Sequence, residues 1–185
     1  EWTNVYELPF SSDQFSTMHP ALSNDEKRLY FSSDMPGTLG SFDLFYVDIA
    51  EDGTYGAPVN LGSTVNTPQR EQFPFIDVEG TLFFASDGHQ GLGGLDLFMS
   101  KNYEDVFAKP VNLGETINSG MDDLGYIVDV EKNTGYFASN RKGNDNLYSF
   151  VRKENPRRFT VDGEVRDKNT KELLPGTIVS LYDEE

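Results

Sequence analysis

The chain repeats itself. Leu29-Tyr30-Phe31-Ser32-Ser33-Asp34, Leu82-Phe83-Phe84-Ala85-Ser86-Asp87 and Gly135-Tyr136-Phe137-Ala138-Ser139-Asn140 are three versions of one hexapeptide. Their last residues are 87 − 34 = 53 and 140 − 87 = 53 positions apart. A second block follows each: Phe42-Asp43-Leu44-Phe45, Leu95-Asp96-Leu97-Phe98 and Asp145-Asn146-Leu147-Tyr148. A third block, Pro58-Val59-Asn60-Leu61-Gly62, returns as Pro110-Val111-Asn112-Leu113-Gly114. Trp2 and Leu8 stand 53 positions before Tyr55 and Leu61, so the chain opens inside the tail of an earlier copy. Several blocks coinciding at one offset exclude chance, and a period of about 50 residues is that of stacked sheet-forming units.

Each copy reads as four short strands. In the second they are Gln72–Asp77, Thr81–Ser86, Asp96–Lys101 and a looser outer strand, Phe107–Leu113. Turn formers separate them at Glu79-Gly80, Asp87-Gly88, Gly93-Gly94 and Asn102. The second and third strands are apolar on successive residues (Leu82, Phe83, Phe84; Leu97, Phe98, Met99), a pattern that buries both faces of a sheet. No stretch of ten or more residues has helical periodicity. The reading is all-β: a partial β-propeller of four-stranded antiparallel blades, about three plus the end of another, over residues 1–152. Such rings close with about four to eight blades, so further blades are expected upstream or from another chain.

Charge marks the boundary. Residues 1–140 carry 6 Lys+Arg and 22 Asp+Glu, whereas residues 141–185 carry 9 of each. The change falls around Arg152, Lys153, Arg157 and Arg158, and residues 153–158 are read as a linker. Arg158–Val165 alternates like a strand, Asp167–Leu174 is polar and turn-like, and Gly176–Tyr182 is a second strand. Two strands do not make a stable domain, so residues 159–185 read as the start of a truncated β-sandwich, packed outside the propeller. The net charge of −16 argues against nucleic acid and anionic membrane surfaces as main partners. No apolar run approaches the ~20 residues of a spanning helix. The absence of cysteine removes thiol chemistry and suits an oxidising compartment. A start at Glu1, with neither Met nor signal peptide, reads as a processed or excised piece.

His19-Pro20-Ala21-Leu22-Ser23, Leu29–Asp34, Gly40–Phe45 and Pro58–Gly62, with their later copies, resemble the TolB-type, WD-repeat-like propeller repeats of OmpA-family proteins of Bacteroidota. Val161–Asp167 and Leu174–Val179 resemble the start of a carboxypeptidase-regulatory-like domain. That order of modules is similar to an outer-membrane-associated component of the type IX secretion system. The resemblance implies a periplasmic, outer-membrane-associated protein. It implies outer-membrane and periplasmic proteins as partners, and attachment to peptidoglycan through an OmpA-type domain absent from this chain. The third copy departs from the pattern: Asn140 replaces Asp, and Leu124-Gly125 stands where His19-Pro20 and Phe73-Pro74 stand.

Asp34 with Asp43 and Asp87 with Asp96 could be glycosidase acids or calcium ligands. They recur in two copies, with Asn140 and Asn146 in the third, whereas a catalytic pair is needed once, with its members in different environments. Recurrence favours structural turn residues whose side chains bond backbone N–H groups at the turn of their own hairpin. His19 and His89 have no nucleophile elbow and cannot make a zinc set alone. Gly91-Leu92-Gly93-Gly94 lacks the Lys and helix of a phosphate loop and reads as a flexible turn. Tyr30, Phe31, Phe83, Phe84, Tyr136 and Phe137 read as core rather than a stacking platform. Arg152–Arg158 reads as a solvated linker that touches the acidic blades.

No catalytic residue, cofactor or metal is expected. The leading expectation is a non-catalytic interaction scaffold. The alternatives are a fragment of a propeller enzyme, peptidase-associated or glycosidase, and a glycan-binding module. One-off polar residues would mark an enzyme, and nearly every notable polar residue here has a counterpart 52–53 positions away.

Overall fold

The residues with apolar side chains in succession become the middle strands of three antiparallel sheets. In the computed structural model the described residues are 2–153, 164–174 and 176. They divide into two compact units, Glu1–Lys153 and Glu154–Glu185. Among the described residues there is no helix.

The first sheet holds β1 (Thr17–Leu22), β2 (Arg28–Ser33), β3 (Asp43–Asp48) and β4 (Val59–Asn60) in that order. The second holds β5 (Glu71–Ile76), β6 (Leu82–Ser86), β7 (Asp96–Ser100) and β10 (Val111–Asn112). Between β7 and β10 a small hairpin forms from β8 (Asn102–Tyr103) and β9 (Val106–Phe107). The third sheet has β11 (Asp123–Asp129), β12 (Thr134–Ser139) and β13 (Asn146–Val151). The outer strand expected over Phe107–Leu113 is therefore divided. Phe107 pairs with Asn102, and only Val111 and Asn112 join the sheet. Pro110, between the two pieces, has no N–H to give a continuous ladder.

The sheets pack face to face in series. Tyr30 and Leu44 of the first meet Leu82, Phe84 and Phe98 of the second, with Val65 and Ile76 completing the layer. Phe83, Ala85 and Leu97, on the opposite face, meet Tyr126, Val128 and Phe137 of the third. Every residue of β6 is buried. The remaining face of the first sheet carries Phe31, Phe45 and Val47, covered by Leu8, Phe10, Phe15 and Tyr55. Burying large side chains on both faces of the second sheet is worth about 1.5–3 kcal/mol each.

The first strand of every sheet has a bulge at one place. The register slips between Met18 and Ala21, between Gln72 and Phe75, and between Leu124 and Ile127. His19, Phe73 and Gly125, inside these bulges, adopt φ of 54°, 54° and 66°. Gly125 thus matches His19 and Phe73, one residue away from the alignment the sequence blocks suggest, because the bulge needs a left-handed residue. The glycine-rich loop is also not loose. A Cβ on Gly93 would run into the backbone of Gly120 and Met121, and one on Gly40, its equivalent, into that of Thr67 and Pro68. In the first two sheets the loop before the third strand touches the segment that leads into the next sheet, and only glycine lets the backbones approach so closely.

In the second unit, Arg166 bridges Leu173, and Leu174 N–H donates to Val165 O at 2.9 Å. Asp167 accepts from the N–H groups of Asn169 and Thr170, both at 2.8 Å, closing the polar turn. Most of the strands expected at Arg158–Val165 and Gly176–Tyr182, and of the linker at 153–158, lies outside the described residues.

Candidate functional site

The repeated polar residues gather where one sheet hands over to the next. Asp34, Asp87 and Asn140 directly follow the second strands and reach back to the residue that precedes the first strand of the same sheet. Asp34 Oδ1 accepts from Ser16 N–H at 2.6 Å. Asp87 Oδ1 accepts from Arg70 N–H at 2.9 Å, and its Oδ2 from the Arg70 guanidinium at 2.9 and 2.7 Å. Asn140 Oδ1 accepts from Asp122 N–H at 2.8 Å, while its Nδ2 donates to Asp122 Oδ2 at 3.1 Å. These three residues pin the open end of a hairpin rather than its turn, because two strand ends there have no tight connection to hold them. The Asn in the third copy also has a reason. Its partner is an acid, which an amide can donate to and a carboxylate cannot, whereas Asp87 faces an arginine. Asn140→Asp is expected to lower stability by about 1–2 kcal/mol, since it replaces a hydrogen bond with two facing carboxylates. Urea unfolding should show the loss, and added salt should narrow it; unchanged stability would remove this account of Asn140.

Asp43 and Asp96 close the loops ahead of their own strands. Asp43 accepts from Leu39 N–H at 2.8 Å and Gly40 N–H at 3.3 Å. Asp96 Oδ2 accepts from Leu92 N–H at 2.6 Å and Gly93 N–H at 3.1 Å. Asn146, exposed, donates to Asn144 O at 2.7 Å. Asp43 also accepts from Asn60 Nδ2 at 2.7 Å. The equivalent atoms in the second sheet, Asp96 Oδ1 and Asn112 Nδ2, are buried without a partner.

Sequence reasoning missed two further sets at the same junctions. Asn66 and Asn118 are buried and clamp the third strands. Asn66 Oδ1 accepts from Leu44 N–H at 2.8 Å and its Nδ2 donates to Leu44 O at 3.0 Å; Asn118 does the same for Leu97 at 2.8 and 2.9 Å. Glu71 and Asp123 are buried acids. Glu71 accepts from Thr67 N–H at 2.8 Å and from the hydroxyls of Thr67 and Ser86, both at 2.7 Å. Asp123 accepts from Ser119 N–H at 2.6 Å and pairs with Arg141 at 2.5 Å. Burial pushes the Glu71 carboxyl above its ordinary value, against the pull of its hydroxyl and amide donors. The signal was present: Asn66-Thr67 with Glu71 and Asn118-Ser119 with Asp123 are one pattern offset by 52.

His19 stands apart from these junction acids, whereas His89 N–H donates to Ser86 Oγ at 3.3 Å, the hydroxyl that donates to Glu71, and the His89 charge opposes the effect of burial on the Glu71 carboxyl. His19 stacks on Phe73 with ring centroids 3.8 Å apart, and burial lowers its pKa. The His89 Nε2 lies 2.7 Å from Val65 O, and its ring sits against Phe84 and Phe98. Tyr30, Phe31, Phe83, Phe84 and Phe137 are buried. Tyr136 is not core: it lies on the open face of the third sheet. Arg152 N–H donates to Asn133 O at 2.7 Å, which ends the third sheet; Arg157 and Arg158 lie outside the described residues.

Concave surfaces remain among the described residues. A cleft of about 630 Å³ lies between the turns of the first two sheets, with Asp25, Asp48, Asp77, Glu79 and Asp105 around Lys27 and Arg28. Arg28 binds Asp48 and Asp105 at 2.8 and 2.5 Å, and the Asp105 carboxylate is the main reason its pKa rises. An apolar groove of about 350 Å³ follows the row of bulges, between His19, Phe73 and Gly125. Among the described residues no group of three or more His, Asp or Glu could hold a metal ion, and no helix is long and apolar enough to cross a membrane. No protein-family model and no curated protein matches the chain.

Proposed function

We propose that the chain is a non-catalytic protein-interaction scaffold built on part of a β-propeller. It works at the periplasmic side of the outer membrane within an OmpA-family protein associated with type IX secretion. One observation carries the non-catalytic reading. The carboxylates that could do chemistry, Asp34, Asp43, Asp87, Asp96, Glu71 and Asp123, hold backbone N–H groups or neighbouring side chains of their own repeat, and Asp96 Oδ1, which has no partner, is enclosed. A general acid or nucleophile needs a free edge facing substrate. Three sheets packed in series, the middle one apolar on both faces, support the propeller. Rigid sheets that carry loops at their ends make docking surfaces with little ordering cost. The compartment, the envelope partners and the peptidoglycan link through a further domain rest on the resemblance of the repeat blocks.

The charge sets the chemistry of the partner. With −16 on the chain, the partner is one with a basic or polar face, and binding weakens as salt rises. The test uses the chain as bait for purified outer-membrane proteins, beside hydrolase assays on peptide and glycan substrates. Saturable binding of an envelope protein that declines with salt is the expected result. Turnover abolished by His89→Ala, with the fold intact, would overturn the scaffold reading.

A further inference from the structure

The first strands of the three sheets each hold one left-handed residue inside the bulge: His19, Phe73 and Gly125. Together with Pro20, Pro74 and Ile127 they line the apolar groove of about 350 Å³. His19 and Phe73 form a stack, with ring centroids 3.8 Å apart and planes 24° from parallel. Gly125 stands to Phe73 as Phe73 stands to His19, one repeat further on. The row therefore has a place for a third ring, and the chain puts no side chain there. A Cβ on Gly125 would meet no atom within 4 Å, so the space is open. The bulge does not itself require glycine, since His19 and Phe73 hold the same conformation. What the glycine does is leave the slot beside Phe73 clear.

The groove runs into the acidic cleft. Leu22 and Phe75 line the groove, and the residues that follow them, Ser23 and Ile76, line the cleft. The two cations of the cleft are already taken: Arg28 binds Asp48 and Asp105, and Lys27 acts on Asp25. Among the described residues Asp77 and Glu79 belong to no ion pair. Asp77 is 3% exposed. Burial raises its pKa, and the like charge of Glu79 adds to the rise. A cation set between these two carboxylates would relieve both. Phe73 and Asp77 are 77 − 73 = 4 positions apart, which along a strand is roughly 13 Å.

We infer that groove and cleft together take one extended segment of a protein partner. An aromatic ring of that segment stacks on Phe73 over Gly125, and a Lys or Arg three or four residues away sits between Asp77 and Glu79. The inference rests on the scaffold reading above and names the chemistry its partner presents. The ring is argued from the row, which already stacks one planar side chain on Phe73 and leaves the next place open. The cation is argued from charge complementarity, because two carboxylates of the cleft have no counter-charge of their own. An extended segment reaches both at once, since its rise per residue is that of β1 and β5. Holding ring and cation at one spacing selects a partner more sharply than either contact alone.

Calorimetry with the whole chain tests this. The probe is a capped peptide with one phenylalanine and one lysine four residues away, made in both orders. At least one order is expected to bind saturably, and to bind about tenfold more weakly once its phenylalanine is replaced by alanine. Gly125→Phe gives the row its own third ring and should abolish binding with the sheets intact by circular dichroism. Should that variant not fold, Phe73→Leu keeps an apolar contact, removes the ring and should weaken binding about fivefold. Glu79→Lys, an exposed change, should weaken binding about fivefold and flatten its decline with salt. Binding of neither order, or equal affinity for the natural chain and folded Gly125→Phe, overturns the inference. So does N-acetylphenylalanine amide binding as tightly as the peptide, since the cleft would then add nothing. An envelope protein that binds the natural chain and Gly125→Phe alike would overturn this inference and leave the scaffold reading standing.

Discussion

Asn118→Ala is expected to lower the stability of the folded chain by about 2–4 kcal/mol, one of the largest single-residue effects among its polar positions. The outer strand of the second sheet is only two residues long, Val111 and Asn112. It stops before Leu97, whose N–H is fully buried and has no strand neighbour on that side. Asn118 supplies the missing neighbour. Its Oδ1 accepts the Leu97 N–H at 2.8 Å, and its Nδ2 donates to Leu97 O at 2.9 Å and to Asn112 Oδ1 at 2.9 Å. The side chain thus copies the donor and acceptor pair of a backbone residue. Alanine strands a buried N–H, and an orphaned donor costs more than the bond it made was worth. Asn118→Asp should also destabilise, because it keeps the acceptor and loses both donations. Asn66 holds Leu44 in the same way, so Asn66→Ala should fall in the same range. Chemical denaturation of the two alanine variants checks this; a loss below about 0.5 kcal/mol in both, the size of an ordinary surface change, would sink it.

The repeat made much of this legible. The blocks at offset 53 placed every middle strand within a residue or two, because a strand buried on both faces needs apolar residues in succession. The limits of the reading have physical causes. Strand-likeness at Phe107 was real, but Phe107 pairs with Asn102 and Pro110 breaks the ladder before Val111 and Asn112 join β7. Tyr136 looked like core because its copies are core; whether it is buried depends on a neighbouring sheet, which local sequence does not encode. The roles of Asp34 and Asp87 depend on residues 17–18 positions earlier, so the turn chemistry of their own hairpins misdirects. Asn66, Asn118, Glu71 and Asp123 were missed for a different reason. They sit in linkers between sheets, where polar residues are ordinary, and only their offset of 52 marks them. Asn140 shows how far within-chain comparison can go: Asn against Asp87 reads as a lapse until its partner, Asp122 instead of Arg70, is seen.

Glu71 should make the stability of this protein depend on pH in the opposite sense to a salt-bridged acid. Its carboxyl is fully buried, and burial raises its pKa above the ordinary carboxylate value. The raised value means that the folded state holds the proton more tightly than the unfolded chain does. The stability this group lends is complete below the unfolded pKa and is lost as pH climbs from the ordinary carboxylate range through the raised folded value. Asp77, also raised by burial, acts in the same direction. Glu71→Gln removes the titration while keeping an oxygen for Thr67 N–H; the hydroxyls of Thr67 and Ser86 can rotate to accept from the new amide. At neutral pH the Gln variant should therefore equal or exceed the natural chain in stability, with the gap closing as the pH is lowered. Relief of the overall negative charge at low pH is nearly the same for both proteins, so the difference between their curves isolates the one carboxyl. Glu71→Ala, in contrast, leaves the Thr67 N–H and two hydroxyls around an empty site and should cost about 3 kcal/mol at every pH. Urea titrations of the three proteins from pH 4 upward decide it. Parallel curves for Glu71 and Glu71→Gln would show that the buried carboxyl carries no penalty, and that its three donors fully offset its removal from water.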